Sequence, residues 1–189
     1  GDCKSPYSGS IPDRASSFFV SIMNMTQRPY SVLFLCTGNS ARSILAESIL
    51  NKLGHGRYIA YSAGSMPKGN VNPYAIKFLN AHGYETSQLR SKPWDEFAVI
   101  NAPHIDFVVT VCDNAAGEVC PIWPGKPMKA HWGIPDPAAA EGSDEHMMAV
   151  FSLAHEQLKK RIEQFLALPI DTLSDAEFKQ RVNEIGNQP

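Results

Sequence analysis

The chain has 189 residues, enough for one well-buried domain and too few for two full ones. A formal net charge of −2 gives no reason to expect nucleic acid or an anionic membrane as partner, so any affinity for anions must come from a local site. No apolar run approaches the roughly 20 residues that span a bilayer. The stretch Phe18-Phe19-Val20-Ser21-Ile22-Met23 is too short for a signal-peptide core, and a soluble, cytoplasmic protein is expected.

Residues 1–29 form an unpatterned extension of Ser, Pro, Gly and Asp. Met25 reads as the natural start, and one domain is expected over 30–189. Ser31–Leu35 is a short apolar run typical of a buried strand. A polar loop follows, then Ile44, Leu45, Ile49, Leu50 and Leu53 at helical spacing, closed by Gly54. Tyr58–Ala63 predicts a second strand. Asn72-Pro73 predicts a capped helix start, and Gly83 its end. Ile105–Val111 is a third strand and Met128–Trp132 a fourth. A long helix is expected from about Ser143 to Leu168, with the Met147-Val150-Phe151-Ala154-Leu158 stripe as core. A last helix opens with Ser174 and Glu177 in capping-box spacing and stops at Gly186. Strands alternating with helices indicate an α/β domain built on a parallel sheet.

Four cysteines, Cys3, Cys36, Cys112 and Cys120, lack the close pairing of a structural zinc site. In a reducing compartment such thiols are more often chemical than structural. Cys36-Thr37-Gly38-Asn39-Ser40-Ala41-Arg42-Ser43 lies beyond the carboxyl end of the first strand, ahead of a helix N-terminus, where α/β sheets bind anions. Gly38 takes positive φ at no cost and Asn39 tolerates it, so successive N–H groups can form a cradle. Arg42 offers a planar fork for two oxygens of a tetrahedral oxyanion. The helix dipole and Arg42 are both expected to favour the Cys36 thiolate, and Ser40 and Ser43 to donate to the sulfur or the anion. The competing reading makes Cys36 a small buried hydrophobe at a strand end. A Walker-type nucleotide loop is excluded, because no Gly-Lys-Ser/Thr follows.

Leu35–Ser43 resembles the Cys-x5-Arg-Ser signature of the low-molecular-weight protein tyrosine phosphatase fold family, and Pro135-Asp136-Pro137 its Asp-Pro loop. The resemblance implies a three-layer, four-stranded parallel sheet with helices on both faces, covering nearly all of 30–189. Tyrosine phosphatases and arsenate reductases share this fold. A phosphatase needs Cys36, Arg42 and an acid; a reductase must also supply two electrons, for which thiols are the natural source. Val108–Pro121, with Cys112 and Cys120, and His131–Ala138 are similar to the thioredoxin-coupled arsenate reductases. Ala138 stands where phosphatases of the family usually carry an aromatic residue.

The resemblance implies reduction of arsenate to arsenite by a relay. Cys36 forms a thiol–arsenate adduct held by residues 37–43; Cys112 attacks it, giving a Cys36–Cys112 disulfide; Cys120 moves the disulfide to Cys112–Cys120. Thioredoxin or a similar thiol reductant then restores the enzyme, and Asp136 helps the leaving oxygens or activates Cys112. Eight extended positions span about 26 Å whereas disulfide formation needs Cα atoms within about 7 Å, so the segment between Cys112 and Cys120 must fold back; Asn114–Gly117 would permit it. The alternatives are a low-molecular-weight tyrosine phosphatase and a non-catalytic oxyanion- or arsenite-binding protein.

Ala41 replaces a second cysteine that many relatives carry. Asn39, Glu47 and Ser62 fit the potassium ligands of some relatives, but Arg90 and Lys92 flank Ser91 where those carry Thr and Asp. A Lys ammonium can stand in for the ion, so no metal and no cofactor are expected. Cys3 is read as incidental, His131 and Trp132 as packing, and Trp94 and Trp123 as either lining the site or packing.

Overall fold

The computed structural model describes residues 28–188; Cys3 and Met25 lie outside the described residues. The elements in chain order are β1 (Tyr30–Cys36), α1 (Arg42–Leu53), β2 (Tyr58–Gly64), α2 (Pro73–Ala81), a 3-10 turn (Trp94–Phe97), β3 (Phe107–Thr110), α3 (Asp113–Gly117), β4 (Met128–His131), a second 3-10 turn (Pro137–Ala139), α4 (Asp144–Leu166) and α5 (Asp175–Gly186). The four strands pair in parallel in the order β2-β1-β3-β4.

Local chemistry explains most boundaries. The Asn72 side chain accepts from the Tyr74 N–H at 2.9 Å, with Pro73 at the first helical position of α2. Ser143 caps α4, and Ser174 and Glu177 form a reciprocal capping box on α5. The short α3 is an addition, in the segment read as a turn.

Strand alternation divides the core in two. Val32, Phe34, Phe107 and Val109 face a cluster built with α1, α2, α4 and α5, including Phe151, Leu158 and Phe165. Leu33, Leu35 and Val108 face the other way, onto Phe97, Ile105 and Trp123. The sheet is therefore covered on both faces but unequally: long helices on one side, the Trp94–Phe97 turn and the Trp123 segment on the other. No helix among the described residues is long and apolar enough to cross a membrane.

The sheet order places the reversal of winding between β1 and β3. Ligands of open α/β sheets sit beyond the carboxyl ends of the strands at such a point. Cys36 ends β1 and Cys112 follows β3, and the Val111 N–H donates to the Leu35 carbonyl at 2.8 Å. The fold thus brings these two cysteines together at the crevice.

Candidate active site

The loop after β1 turns its carbonyls outward. Thr37, Gly38 and Ser40 carbonyls accept from the N–H groups of Met66, Lys68 and Asn72 at 3.0, 2.9 and 2.8 Å. Each peptide plane holds C=O and N–H antiparallel, so the N–H groups of Gly38, Asn39 and Ala41 face inward. The Asn39 N–H is seen doing so, donating to Cys36 Sγ at 3.2 Å. Asn39 supplies the bend with φ of 40°. The resulting cavity, about 300 Å³, is lined by Cys36, the loop, Arg42, Asp136, Lys68 and Asn114.

Asn39 also ties the cradle to the interior. Its Nδ2 donates to Ser43 Oγ and Ser62 Oγ, both at 2.9 Å, and its Oδ1 accepts from the Lys92 N–H at 2.8 Å. Ser62 donates to Glu47, whose Oε2 lies 3.6 Å from Lys92 Nζ. Burial raises the Glu47 carboxyl and lowers the Lys92 ammonium from their ordinary values, and their mutual attraction opposes both shifts. The Lys92 ammonium thus lies beside Glu47 and donates to the Arg90 carbonyl at 3.3 Å, where its charge offsets that of the buried carboxylate.

Cys36 is 3% exposed, with Ser43 Oγ 2.9 Å from its sulfur. The expected stabilisation of its thiolate is outweighed. Burial raises the thiol above its ordinary value, and the Cys112 sulfur adds to this, while hydrogen bonding from Ser43 and Asn39 only partly opposes it. Arg42 does not engage the sulfur: its Nη1 donates to the Ile134 carbonyl at 3.2 Å and its Nη2 pairs with Asp136 at 3.0 Å. Asp136 in turn accepts the Ala138 N–H at 3.1 Å, which fixes it at the start of the second 3-10 turn.

Cys112 is 2% exposed, caps α3 through the Ala115 N–H at 3.4 Å, and lies 3.8 Å from Thr37 Oγ1. Cys120 is half-buried against the second-face cluster, in a cleft of about 360 Å³ shared with Glu118, Lys129 and His131. Its neighbours Val119 and Ile122 are 96% and 94% exposed. The three cysteines among the described residues are free thiols.

Residues 31–180 match the low molecular weight phosphotyrosine protein phosphatase family. The arsenate reductase of Halalkalibacterium halodurans is 42% identical over 134 residues, 71% of this chain and 93% of its own length. The chain belongs to this phosphatase family, among its arsenate reductases. A solved arsenate reductase in its oxidized state superposes with a TM-score of 0.59 at 27% identity, covering 72% of this chain and 96% of its own. The Corynebacterium glutamicum thioredoxin-dependent arsenate reductase does so with 0.51 at 27% identity, covering 80% and 70%.

Other residues important to this family member's crevice were not foreseen from the sequence. Gly64, at the end of β2, touches the cradle so closely that a Cβ would collide with the Thr37 carbonyl and come within 2.9 Å of the Cys36 carbonyl. Arg161 on α4 donates to the Trp132 and Gly133 carbonyls, both at 2.9 Å, and so holds the base of the loop that carries Asp136. Trp132 is fully buried and its indole N–H donates to the Val182 carbonyl at 3.0 Å, a packing role as expected. Trp94 and Trp123 pack edge-to-face with centroids 6.4 Å apart on the second face, and neither lines the cradle.

Proposed function

We propose that this protein reduces arsenate to arsenite in a reducing, cytoplasmic compartment through a relay of Cys36, Cys112 and Cys120, with thioredoxin or a similar dithiol as reductant. The observation that carries the reading is the placement of the thiols: Cys36 in the cradle, Cys112 beside it at the end of the neighbouring strand, and Cys120 farther out in an open cleft. A phosphatase has no use for the second and third.

The chemistry follows in three exchanges. Arsenate enters the cradle, its oxygens held by the inward N–H groups and by Arg42. The Cys36 sulfur bonds to arsenic, and its proton leaves with one arsenate oxygen as water. Asp136, beside Arg42, can relay that thiol proton to the departing oxygen, taking it up and handing it on. The Cys112 thiolate then attacks the Cys36 sulfur; the S–S bond forms, the S–As bond breaks, and its electron pair reduces arsenic to arsenite. Cys120 attacks Cys112, releasing Cys36, and the external dithiol reduces the Cys112–Cys120 bond.

The test pairs two assays on the reduced full chain: arsenate-dependent NADPH oxidation with thioredoxin and its reductase, and hydrolysis of an aryl phosphate. Cys120→Ser is expected to release one equivalent of arsenite and then stop. Efficient aryl-phosphate turnover without arsenate reduction would overturn the proposal. Inactivity in both assays would instead indicate a binding protein.

A further inference from the structure

The relay, on which this inference rests, requires the buried Cys112 thiol to lose its proton before it attacks. Asp136 is one expected acceptor, but its carboxylate is engaged with Arg42 and the Ala138 N–H. Another carboxylate lies closer to the second thiol in hydrogen-bond terms. Thr37 Oγ1 sits 3.8 Å from Cys112 Sγ and donates to Glu118 Oε1 at 3.2 Å. One hydroxyl thus bridges the sulfur and a half-buried carboxylate.

We infer that Glu118 is a positioning residue for the second thiol, taking the Cys112 proton through the Thr37 hydroxyl as Cys112 attacks Cys36. Thr37 passes its own proton to Glu118 and receives that of Cys112, so the hydroxyl is unchanged and one proton has moved from sulfur to carboxylate. The electron pair left on Cys112 forms the disulfide bond, and the pair of the broken S–As bond departs with arsenite. The proton then returns to solvent, since Glu118 also lines the open cleft. Thr37 can serve both partners because it belongs to the cradle, whereas Glu118 lies at the far end of α3, whose cap is Cys112 itself. A five-residue helix therefore spans the sulfur and the carboxylate that meet at one hydroxyl.

Other ionisable groups around Glu118 are Lys129 and His131 on β4, Cys120 in the same cleft, and Asp113 at the start of α3. His131 is held by Thr110 Oγ1 at 2.8 Å and Asp113 at 3.0 Å, directed toward those partners and not toward Thr37. None of these groups hydrogen-bonds to the hydroxyl that touches the sulfur, whose partners are Cys112 and Glu118.

The test uses Cys120→Ser as parent, which stops the relay at the Cys36–Cys112 disulfide, with one equivalent of arsenate and rapid quenching for mass spectrometry. Glu118→Gln is expected to slow disulfide formation by about 100-fold at neutral pH, the low end for a positioned base, with the preceding adduct still formed. It should also remove the acid limb of the pH–rate profile, and formate should restore part of the rate of Glu118→Ala. A carboxylate that merely repels the thiolate predicts the opposite, a faster Glu118→Gln. A faster or unchanged rate, or a loss equal at every pH without formate rescue, overturns the inference. A parent that forms no Cys36–Cys112 disulfide overturns the relay itself, and the two failures are thereby distinct.

Discussion

Gly64→Ala is the sharpest probe of how the sheet holds the cradle. The added methyl would overlap the Thr37 carbonyl and lie 2.9 Å from the Cys36 carbonyl and 3.0 Å from the Asn39 Cβ. Ordinary contact for such pairs is about 3.5 Å, so strand and cradle must separate by roughly 1 Å at the Thr37 carbonyl and about half an ångström at the other two contacts. The strand cannot simply withdraw, because the Gly64 N–H donates to the Lys92 carbonyl at 3.0 Å and Gly64 bridges Pro93 on its other side. The displacement therefore falls on Cys36, Thr37 and Asn39. Overpacking of this kind costs about 1–3 kcal/mol, and misplacing reacting groups by around 1 Å costs on the order of 100-fold in rate. Thermal unfolding read alongside single-turnover arsenite release should show both losses, with the rate loss larger than stability explains. Wild-type rate and unchanged melting temperature would refute the claim that this contact sets the cradle's position.

Two further predictions test the supports around the crevice. Arg161→Met leaves the Trp132 and Gly133 carbonyls without their buried donor, a loss of about 2–3 kcal/mol by denaturant titration; it should also weaken catalysis through the Asp136 loop, and full activity with lost stability would separate the two roles. His155, on α4 and packed against Phe78 of α2, is hydrogen-bonded to the Tyr84 hydroxyl at 2.7 Å, and is lowered by burial to about 4. Because the unfolded chain then binds more protons, stability should fall as pH drops from about 6.5 to 4, by about 1–2 kcal/mol after solvent screening, and His155→Gln should flatten that slope.

What could be read from the sequence was what neighbouring residues determine together. The strand ending at Cys36, the bend at Asn39 and the caps at Asn72 and Ser174 are local events, each complete within a few positions, and the structure forms them, but Gly38 does not take the positive φ expected of it and Asn39 alone makes the turn. Gly64, Glu118 and Arg161 matter through partners 27, 81 and 29 positions away or comparable distances, which spacing along the chain does not reveal. The upward push on the Cys36 thiol shows the same limit in energetic form. Sequence displays what favours the thiolate, a helix N-terminus and an arginine, while burial, which opposes it, requires the packed core.

The two core faces give the proposed relay a direction. Cys36 and Cys112 belong to the cluster on the helical side, whereas Cys120 packs against the opposite cluster and borders an open cleft. Passing the disulfide from the first pair to the second would therefore carry oxidation from two buried thiols to one that a protein reductant can reach. The cost of that transfer rests on α3, five residues closed by the Ala116 N–H on the Cys112 carbonyl at 3.2 Å. So short a helix has scarcely passed its nucleation cost, and unwinding it surrenders little. A longer helix at this point would hold Cys112 and Cys120 apart; on the proposed relay, the brevity of α3 would let one fold keep its nucleophile buried and still renew it from outside.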